Sequence, residues 1–555
     1  MGNILNLVCE TTTLQHWFSK EIQLRRTADH QLELWNILIL RALSQHIFHT
    51  TIYEKGIVCG RFQLWSILIC RAMLENICRK PIYKKRVAND QFQLLGILIF
   101  GVISDYMLHI KTDPFINLPE DLQRIILSKL TLKEVVRTCA VSSKWRYLWR
   151  VSPRLSFDGM TMCGKDISGK RQYIQKFVNN VYAVLLQYRG RVVEELAIIF
   201  DFDTMLVGHL NNWVRFAVSS RTIFLSFDLA PKDFGGRNDR YIFPFKLLDR
   251  ESLSRLQGIQ LSFVSVQPPT GFNGFPNLRK LDLNLVHVNG KDLKEMLSNC
   301  RKLAWLRIVR CHPYDELKVT SSLPCLVYLS VAHCEITSIS FHAEKLATFE
   351  YKGTPVPIDL SKSSELESAD IHFYRDTLEH AIRALANVLI NVKHLIFNTS
   401  CRPPEVIYLV DNPCKFSLLK HLKLLLLFVQ EVDSISLASF LSTSRFVEKL
   451  ELHFAVIGLT SLAQEPFRRL LDRPFNYLKS LCVTGFKACH GQVELLLHIV
   501  ENAPALEVLT VDMSNKYKYP PEHEEREAKY VDLVHGTAIR YLEGKISPKC
   551  TLRLL

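Results

Sequence analysis

One stretch of the chain repeats a short apolar pattern three times. Residues 278–336 read LRKLDLNLVHVNGKDLKEMLSNCRKLAWLRIVRCHPYDELKVTSSLPCLVYLSVAHCEI, and aliphatic residues recur in it with the spacing L-x-x-L-x-L. The three copies are Leu278/Leu281/Leu283, Leu303/Leu306/Ile308 and Leu326/Leu329/Val331. Alternation within each copy is typical of a short strand that buries one face. Because no copy can bury its apolar residues alone, the pattern predicts neighbouring strands stacked in chain order, with function on their outward positions.

The same pattern continues towards the C-terminus, and its first positions lie 20 to 31 residues apart. The further copies are Leu346/Phe349/Tyr351, a degenerate Leu366/Ala369/Ile371, Val392/Leu395/Phe397, Leu419/Leu422/Leu424, Val447/Leu450/Leu452, Leu478/Leu481/Val483 and Leu506/Leu509/Val511. These intervals bracket the period of leucine-rich repeats, and Cys311 and Cys334 occupy the Asn/Cys position of the longer repeat pattern. The predicted fold class is therefore an α/β repeat, a leucine-rich-repeat solenoid over residues 190–474, in which each strand returns through a helix or loop.

Residues 111–158 have a different composition, which predicts three short helices. Pro119 stands in the first turn of the first helix beside Glu120 and Asp121, where acidic groups favour the positive end of the helix dipole. Apolar residues then follow on one helical face from Leu122 to Leu130. A segment this short cannot bury all its aliphatic residues and two tryptophans internally. It therefore predicts a docking surface for a partner.

This segment resembles an F-box. The resemblance rests on Leu118-Pro119-Glu120, the aliphatic helix, Val141-Ser142-Ser143-Lys144-Trp145-Arg146 and a second tryptophan, Trp149. It implies a small all-α three-helix domain that docks on a Skp-family adaptor and, through it, on the cullin of a ubiquitin ligase. Val141 stands where close relatives often have leucine. The residues implied to bind the adaptor are Leu118, Pro119, Leu122, Ile125, Leu130, Val141, Trp145 and Trp149.

The C-terminal residues 475–555 resemble the FBD region that follows F-box and leucine-rich repeats in plant proteins. The resemblance is carried by Leu478-Lys479-x-Leu481, Gly485-Phe486, Gly491, Glu494-Leu495, Asn502-Ala503 and Leu506-Glu507. From the residues alone, this region predicts a strand, a glycine-bearing turn, a helix and a further strand. It is thus one more repeat with a longer return, and the chain is identified as a member of the plant F-box/FBD/LRR family.

Residues 1–110 form an N-terminal extension that contains a direct repeat. QLELWNILILRAL (31–43), RFQLWSILICRAM (61–73) and QFQLLGILIFGVI (91–103) follow one another at an offset of 30 residues. Such a repeat indicates either a stacked array or a tandem duplication without a selected role. Both alternatives remain open, and so does the question of whether these residues fold.

The sequence contains no motif of an enzyme, a metal site or a cofactor site. We find no phosphate-binding loop, nucleophile elbow or zinc-binding spacing, so we expect a non-catalytic protein without cofactor or metal. The closest cysteine group is Cys300, Cys311, Cys325 and Cys334, which we interpret as small buried hydrophobic residues. The N-terminus lacks a signal peptide, and the longest apolar run is too short for a bilayer helix. We therefore expect no membrane association and a location in the nucleus, the cytoplasm or both.

Three functions fit these observations to different degrees. The first is the substrate-recognition subunit of a Skp–cullin–F-box ubiquitin ligase, whose repeats bind a protein substrate of unknown identity. The second is a stand-alone repeat scaffold whose F-box does not dock. The third is a nucleic-acid binder, suggested by the net charge of +14. Since that charge is diffuse along the chain, we do not expect a nucleic-acid partner.

Overall fold

The structure is a computed structural model, and it describes most of the chain from Arg150 onwards. The described residues are 150–555 without 165–168, 234, 236, 312–315, 375–384, 386–387, 401–415, 417, 429–436, 442–443, 445, 457–461, 469–473 and 515–524. The predictions for the N-terminal extension and for the three helices of the F-box-like segment lie outside the described residues.

Within this part of the chain, twenty strands are present, and fifteen of them form one sheet. In chain order they are β1 (Arg154–Asp158), β2 (Glu195–Ile199), β3 (Phe224–Asp228), β4 (Tyr241–Ile242), β5 (Gly258–Ser262), β6 (Val264–Ser265), β7 (Lys280–Asn284), β8 (Trp305–Val309), β9 (Leu317–Ser322), β10 (Tyr328–Ala332), β11 (Ile339–His342), β12 (Thr348–Gly353), β13 (Ile358–Asp359), β14 (Ser368–Phe373), β15 (His394–Ser400), β16 (His421–Phe428), β17 (Lys449–Val456), β18 (Ser480–Thr484), β19 (Val508–Asp512) and β20 (Thr551–Leu554). The large sheet, called the main sheet below, runs β1-β2-β3-β5-β7-β8-β10-β12-β14-β15-β16-β17-β18-β19-β20. All its strand pairs are parallel, and its order follows the chain.

The helices of the described residues lie in the connections between strands of the main sheet. They are α1 (Gly159–Cys163), α2 (Lys170–Gln187), α3 (Val207–Ser219), α4 (Arg250–Arg255), α5 (Gly290–Leu297), α6 (Leu437–Leu441), α7 (His490–Glu501) and α8 (Glu525–Leu542), with short 3-10 turns at Thr204–Leu206 and Phe245–Leu247. Side chains at the N-terminal ends satisfy free backbone N–H groups: Asn289, for example, accepts a 2.7 Å hydrogen bond from the N–H of Asp292. The buried faces of α2 and α3 extend the core beneath the first strands.

The predicted repeats are confirmed in both order and burial. Leu281, Leu306 and Leu329 are fully buried on three neighbouring strands and lie in register with one another. The degenerate copy is also a repeat, because Ala369 and Ile371 lie on β14 between β12 and β15. Each strand begins two residues after the first apolar position of its triplet. That first residue closes a turn, as in Leu303, whose N–H donates to the carbonyl oxygen of Cys300 at 3.0 Å.

The main sheet begins earlier than the triplets quoted above indicate. Four strands precede β7, and the first of them, β1, lies before residue 190, where we placed the start of the repeats. Val193/Leu196/Ile198 and Leu256/Ile259/Leu261 in fact keep the repeat spacing, and all six residues are buried. The periodicity is obscured because Thr222 stands at the first position of the copy on β3, and because α2, with 18 residues, lengthens the connection from β1 to β2.

Three of the connections return through strands rather than through the helix or loop that we expected. β9, β11 and β13 pair in parallel and form a second, three-stranded sheet. These returns belong to the repeats in which the first apolar positions Leu303, Leu326, Leu346 and Leu366 lie only 20 to 23 residues apart. A strand rises about 3.3 Å per residue against 1.5 Å for a helix, so it spans a return of fixed length with fewer residues.

The cysteines in the repeats are thiols, and most of them are buried. Cys311 and Cys334 lie at the predicted position, where each Sγ faces two backbone carbonyl oxygens, at 3.4–3.7 Å for Cys311 and 3.4–3.6 Å for Cys334. Burial raises the pKa of Cys334 to about 11, so its thiol stays protonated. The interpretation of the group as buried is wrong for Cys325, which is exposed because it lies in the turn before β10.

A left-handed residue directly follows several strands of the main sheet. Phe263, Leu285, Arg310 and His333 take φ values of 50 to 59° after β5, β7, β8 and β10, and Gly485 takes 67° after β18. Their N–H groups continue the backbone ladder to the next strand, for example from Leu285 to the Val309 carbonyl oxygen at 2.9 Å. The turn is therefore a feature of the repeat, and it is easiest for glycine.

Replacing Gly485 with alanine is expected to lower the free energy of unfolding of the C-terminal repeats by about 2–3 kcal/mol. An added Cβ would lie 2.0 Å from the Phe454 carbonyl oxygen, and φ is already left-handed. Urea denaturation followed by circular dichroism measures the change. Gly536→Ala is the matched control, because Gly536 lies in α8 with open space around it, and alanine should stabilise that helix. Equal effects of the two substitutions on the free energy of unfolding would contradict the inference that only glycine fits the turn at position 485.

Candidate protein-interaction surface

The eight residues that the F-box resemblance implies for adaptor binding, Leu118 to Trp149, lie outside the described residues. The candidate surface that the structure does describe is the face of the main sheet opposite its apolar core. In the main-sheet strands before β20, the first, third and fifth residues point to this outward face, because the second and fourth are buried. On β7, for instance, Leu281 and Leu283 point inward, whereas Lys280, Asp282 and Asn284 point outward.

Aromatic rings lie side by side in the first outward position of adjacent strands. Trp305 on β8 and Tyr328 on β10 stack with ring centroids 5.1 Å apart and an interplanar angle of 5°. On the other side of Trp305, the ammonium of Lys280 on β7 lies 4.8 Å from the centroid of the indole. Further along the same row, the Phe224 ring covers Gly258, where an added Cβ would lie 2.0 Å from it. Such exposed aromatic groups are enriched in protein interfaces.

Charged groups occupy the third outward position beside these rings. Arg307 donates to Asp282 at 3.4 Å, and the Asp282 side chain is only 9% exposed. Burial raises the pKa of Asp282, and the nearby Arg307 reduces this effect. Burial, together with the hydrogen bond to Glu350, raises the pKa of Tyr328 to about 12. The tyrosine therefore remains a neutral donor throughout the physiological range.

A second cluster surrounds Glu451 on β17. Its carboxylate oxygens lie 3.0 Å from Nε2 of His421, 3.2 Å from Nε2 of His453 and 2.6 Å from Nζ of Lys449. Lys423 lies slightly farther away, at 3.7 Å. Hydrogen bonds from His421, His453 and Lys449 outweigh burial and hold the pKa of Glu451 well below its usual range. This carboxylate therefore orders four basic side chains on β16 and β17.

We expect Glu451→Gln to lower the free energy of unfolding at pH 7 by about 1–2 kcal/mol, since hydrogen bonds to a charged group are lost. Because the pKa of Glu451 is lowered by folding, its contribution is present above the unfolded pKa, about 4.3, and is lost as the pH falls below it. Urea denaturation at pH 7, 5, 4 and 3 should show the difference from wild type shrinking towards acid. Glu543→Gln, on an exposed site, is the control. If the difference in unfolding free energy between Glu451→Gln and wild type stays constant with pH, the inference that folding lowers the pKa of Glu451 is wrong.

Within the FBD-like region, the residues that carry the resemblance make structural contacts. Glu494 on α7 is fully buried and accepts from the backbone N–H of Arg468 at 2.8 Å and from its guanidinium at 2.6 Å, and His490 lies at 3.0 Å. Burial alone would raise the pKa of Glu494, but the hydrogen bonds from Arg468 outweigh it and lower the pKa. On the same helix, Gln492 donates to the carbonyl oxygen of Gly485. Glu494 and Gly485 therefore hold the last repeats together.

Other kinds of site are not apparent in the part of the chain described here. Among these residues, no three His, Cys, Asp or Glu side chains are placed to hold a metal ion. No helix among them is long and apolar enough to cross a membrane. The outward face is thus the candidate surface. The sequence pattern located it through the alternation of the triplets, but it did not reveal that Lys280, Trp305 and Tyr328 would contact one another.

Comparison with known proteins adds two family matches. The family model for the At1g61320/AtMIF1 LRR domain matches residues 187–545, and the F-box domain model matches residues 115–157. The second match contains all eight residues implied for adaptor binding. The F-box match ends at residue 157, within β1, so it overlaps the first strand of the main sheet.

Several curated proteins of Arabidopsis thaliana are similar to this chain. It is 23% identical over 257 residues to the putative F-box/LRR-repeat protein At1g56400, which covers 46% of this chain and 53% of that protein. It is 22% identical over 412 residues to the F-box/FBD/LRR-repeat protein At1g13570, which covers 72% and 90%. The probable FBD-associated F-box protein At1g32375 is 29% identical over 222 residues, 39% of this chain and 49% of that protein.

The alignments span about half the length of the first and third of these relatives and nearly all of the second. The repeat match covers well over half of the chain, and the F-box match precedes it as the sequence predicted. The parallel main sheet is the fold that such repeats require. The chain therefore belongs to the plant F-box/FBD/LRR family, as an F-box protein whose body is a leucine-rich-repeat solenoid.

Proposed function

We propose that the chain is the substrate-recognition subunit of a Skp–cullin–F-box ubiquitin ligase. The observation that carries this proposal is the F-box match over residues 115–157, which includes Leu118, Pro119 and both tryptophans of the predicted docking set. The F-box would bind a Skp-family adaptor, and the adaptor would connect the chain to a cullin. The outward face of the main sheet would bind the protein substrate.

In this function the chain performs no covalent chemistry. It would hold the substrate close to the ubiquitin-loaded enzyme of the complex, so that transfer becomes effectively intramolecular. A repeat sheet suits this task because its rigid, in-register strands fix the relative positions of outward side chains. Assemblies of this kind would place the chain in the nucleus, the cytoplasm or both.

A second candidate is a stand-alone repeat scaffold whose F-box does not dock. The observation in its favour is the direct repeat within residues 1–110, which precede the F-box. An extension packed against the docking helices could block the adaptor. Under this alternative the outward face would still bind a protein, but no cullin would be recruited.

Affinity purification from plant cells distinguishes the two functions. We expect the full-length chain to co-purify with a Skp-family adaptor and a cullin, identified by mass spectrometry. A variant lacking residues 1–110 serves as the second arm. If both chains recover the adaptor equally, the extension has no part in docking. If only the shortened chain recovers it, the extension is inhibitory and the scaffold function applies to the full-length protein.

A further inference from the structure

Four cations next to the Trp305 stack form no ion pair among the described residues, although the charge of Lys280 acts on Asp282 of the same strand and opposes the rise in its pKa. Arg279 and Lys280 stand at the start of β7, and Arg301 and Lys302 stand in the turn before β8. All four are exposed, and no carboxylate of the described residues forms an ion pair with any of them. They lie at the same end of adjacent strands, because the N–H groups of Ala304 and Trp305 both donate to the Arg279 carbonyl oxygen.

The cations directly before three later strands of the main sheet are paired. The residue directly before the strand is Lys420 at β16 and Lys479 at β18, and both bind Glu448, at 3.2 and 3.3 Å. Lys393, before β15, pairs with Glu367 at 2.5 Å. Arg279 holds the same position before β7, where no such pair exists among the described residues. A glutamate therefore neutralises the cation directly before β15, β16 and β18, whereas no glutamate pairs with Arg279 beside the aromatic rings.

We propose that Arg279, Lys280, Arg301 and Lys302, together with the edges of Trp305 and Tyr328, bind an acidic segment of the substrate protein. This inference rests on the proposed function, and it names the chemical class of the substrate. Charge complementarity supplies the attraction and the choice of partner. The exposed rims of the two rings, with Val327 46% exposed beside them, supply apolar area for a neighbouring side chain of that segment.

The geometry favours an acidic protein segment over a nucleic acid. A nucleic-acid base would need a free ring face on which to stack. Lys280 from β7 covers one face of Trp305, and Tyr328 from β10 covers the other. The cationic patch is also narrow, because its backbone positions lie on two neighbouring strands about 5 Å apart, whereas a phosphate backbone needs a longer track. Outward carboxylates bound it on both sides, Asp228 on β3 and Glu350 on β12.

Fluorescence anisotropy with the full-length chain tests the proposal. The probes are a labelled oligoglutamate peptide with a central leucine pair, the same peptide with serine in place of each glutamate, and single-stranded oligothymidylate. We expect the acidic peptide to bind most tightly, and its affinity to fall as salt is added. The charge reversal Arg279→Glu/Lys302→Glu should weaken it by about tenfold or more.

The matched control is Lys232→Glu/Lys549→Glu, which changes the net charge equally at exposed sites away from the patch. It should alter affinity by less than about twofold. Equal binding of the acidic and serine peptides, equal losses in the two charge-reversed variants, or tighter binding of oligothymidylate would each overturn the proposal. Adaptor co-purification of the same variants distinguishes failure of this proposal from failure of the ligase function. The patch substitutions should leave co-purification with the adaptor unchanged. If the wild-type chain binds the acidic peptide but never co-purifies with an adaptor, only the ligase function is refuted.

Discussion

Replacing Leu118 and Pro119 together with alanine is expected to abolish co-purification of the chain with a Skp-family adaptor, while the repeats stay folded. Pro119 fixes the start of the first predicted helix, and Leu118 supplies apolar area at the docking surface. Truncating one anchor of such an interface typically costs more than about 2 kcal/mol, or about 30-fold in affinity. Two adjacent losses should take the complex below detection in a pull-down.

The control for this variant is Lys133→Ala/Glu134→Ala, which changes two charged residues of the same segment outside the predicted docking set. It should bind the adaptor like the wild type. Circular dichroism and solubility separate docking from folding. If the Leu118/Pro119 variant aggregates or loses helix content, these side chains form an internal core. If it is folded and still binds at the wild-type level, the docking assignment is wrong.

Arg468→Ala should be the most destabilising single substitution on the described surface of the C-terminal repeats. It leaves the Glu494 carboxylate, whose side chain is 0% exposed, without its guanidinium partner. The Arg468 side chain is itself 53% exposed, and the backbone N–H of residue 468 and the His490 ring still contact the carboxylate, so the expected cost is that of the lost hydrogen bonds to a charged group, about 1.5–3 kcal/mol. Hydrogen exchange measured by mass spectrometry should show loss of protection in α7 and β18.

The double variant Arg468→Ala/Glu494→Gln tests the cause of that loss. With the buried charge removed, it should be more stable than Arg468→Ala alone, and the two substitutions should not be additive. An additive result would show that Arg468 stabilises the repeats through packing of its stem rather than through Glu494.

The sequence predicted the repeats well where a single short period governs them. From Leu278 to Val511 the triplets predicted the strand order and the buried positions, because burial of one face imposes alternation directly on the residues. The earlier strands were less apparent, since α2 lengthens the interval between β1 and β2 and Thr222 replaces the first apolar residue of the copy on β3. The returns through β9, β11 and β13 depend on how few residues the three short repeats leave for each connection between main-sheet strands. A local sequence pattern does not predict the conformation of such a connection.

The candidate surface, too, could be predicted from the sequence only in part. Alternation alone placed Lys280 and Trp305 on the outward face. Their contact with each other and with Tyr328 depends on the register between β7, β8 and β10, which is set by the lengths of the returns. Glu494 was noted only through the FBD resemblance. Its role follows from a contact with Arg468, 26 residues earlier, which a motif within α7 does not contain.

We expect one chain to bind one ligase adaptor through its F-box. The most direct measurement is size-exclusion chromatography with light scattering on the purified full-length chain mixed with a purified Skp-family adaptor. We predict a single complex whose mass equals one adaptor plus one 64.1 kDa chain. Two separate peaks at the masses of the free proteins, from a chain that circular dichroism shows to be folded, would contradict the claim.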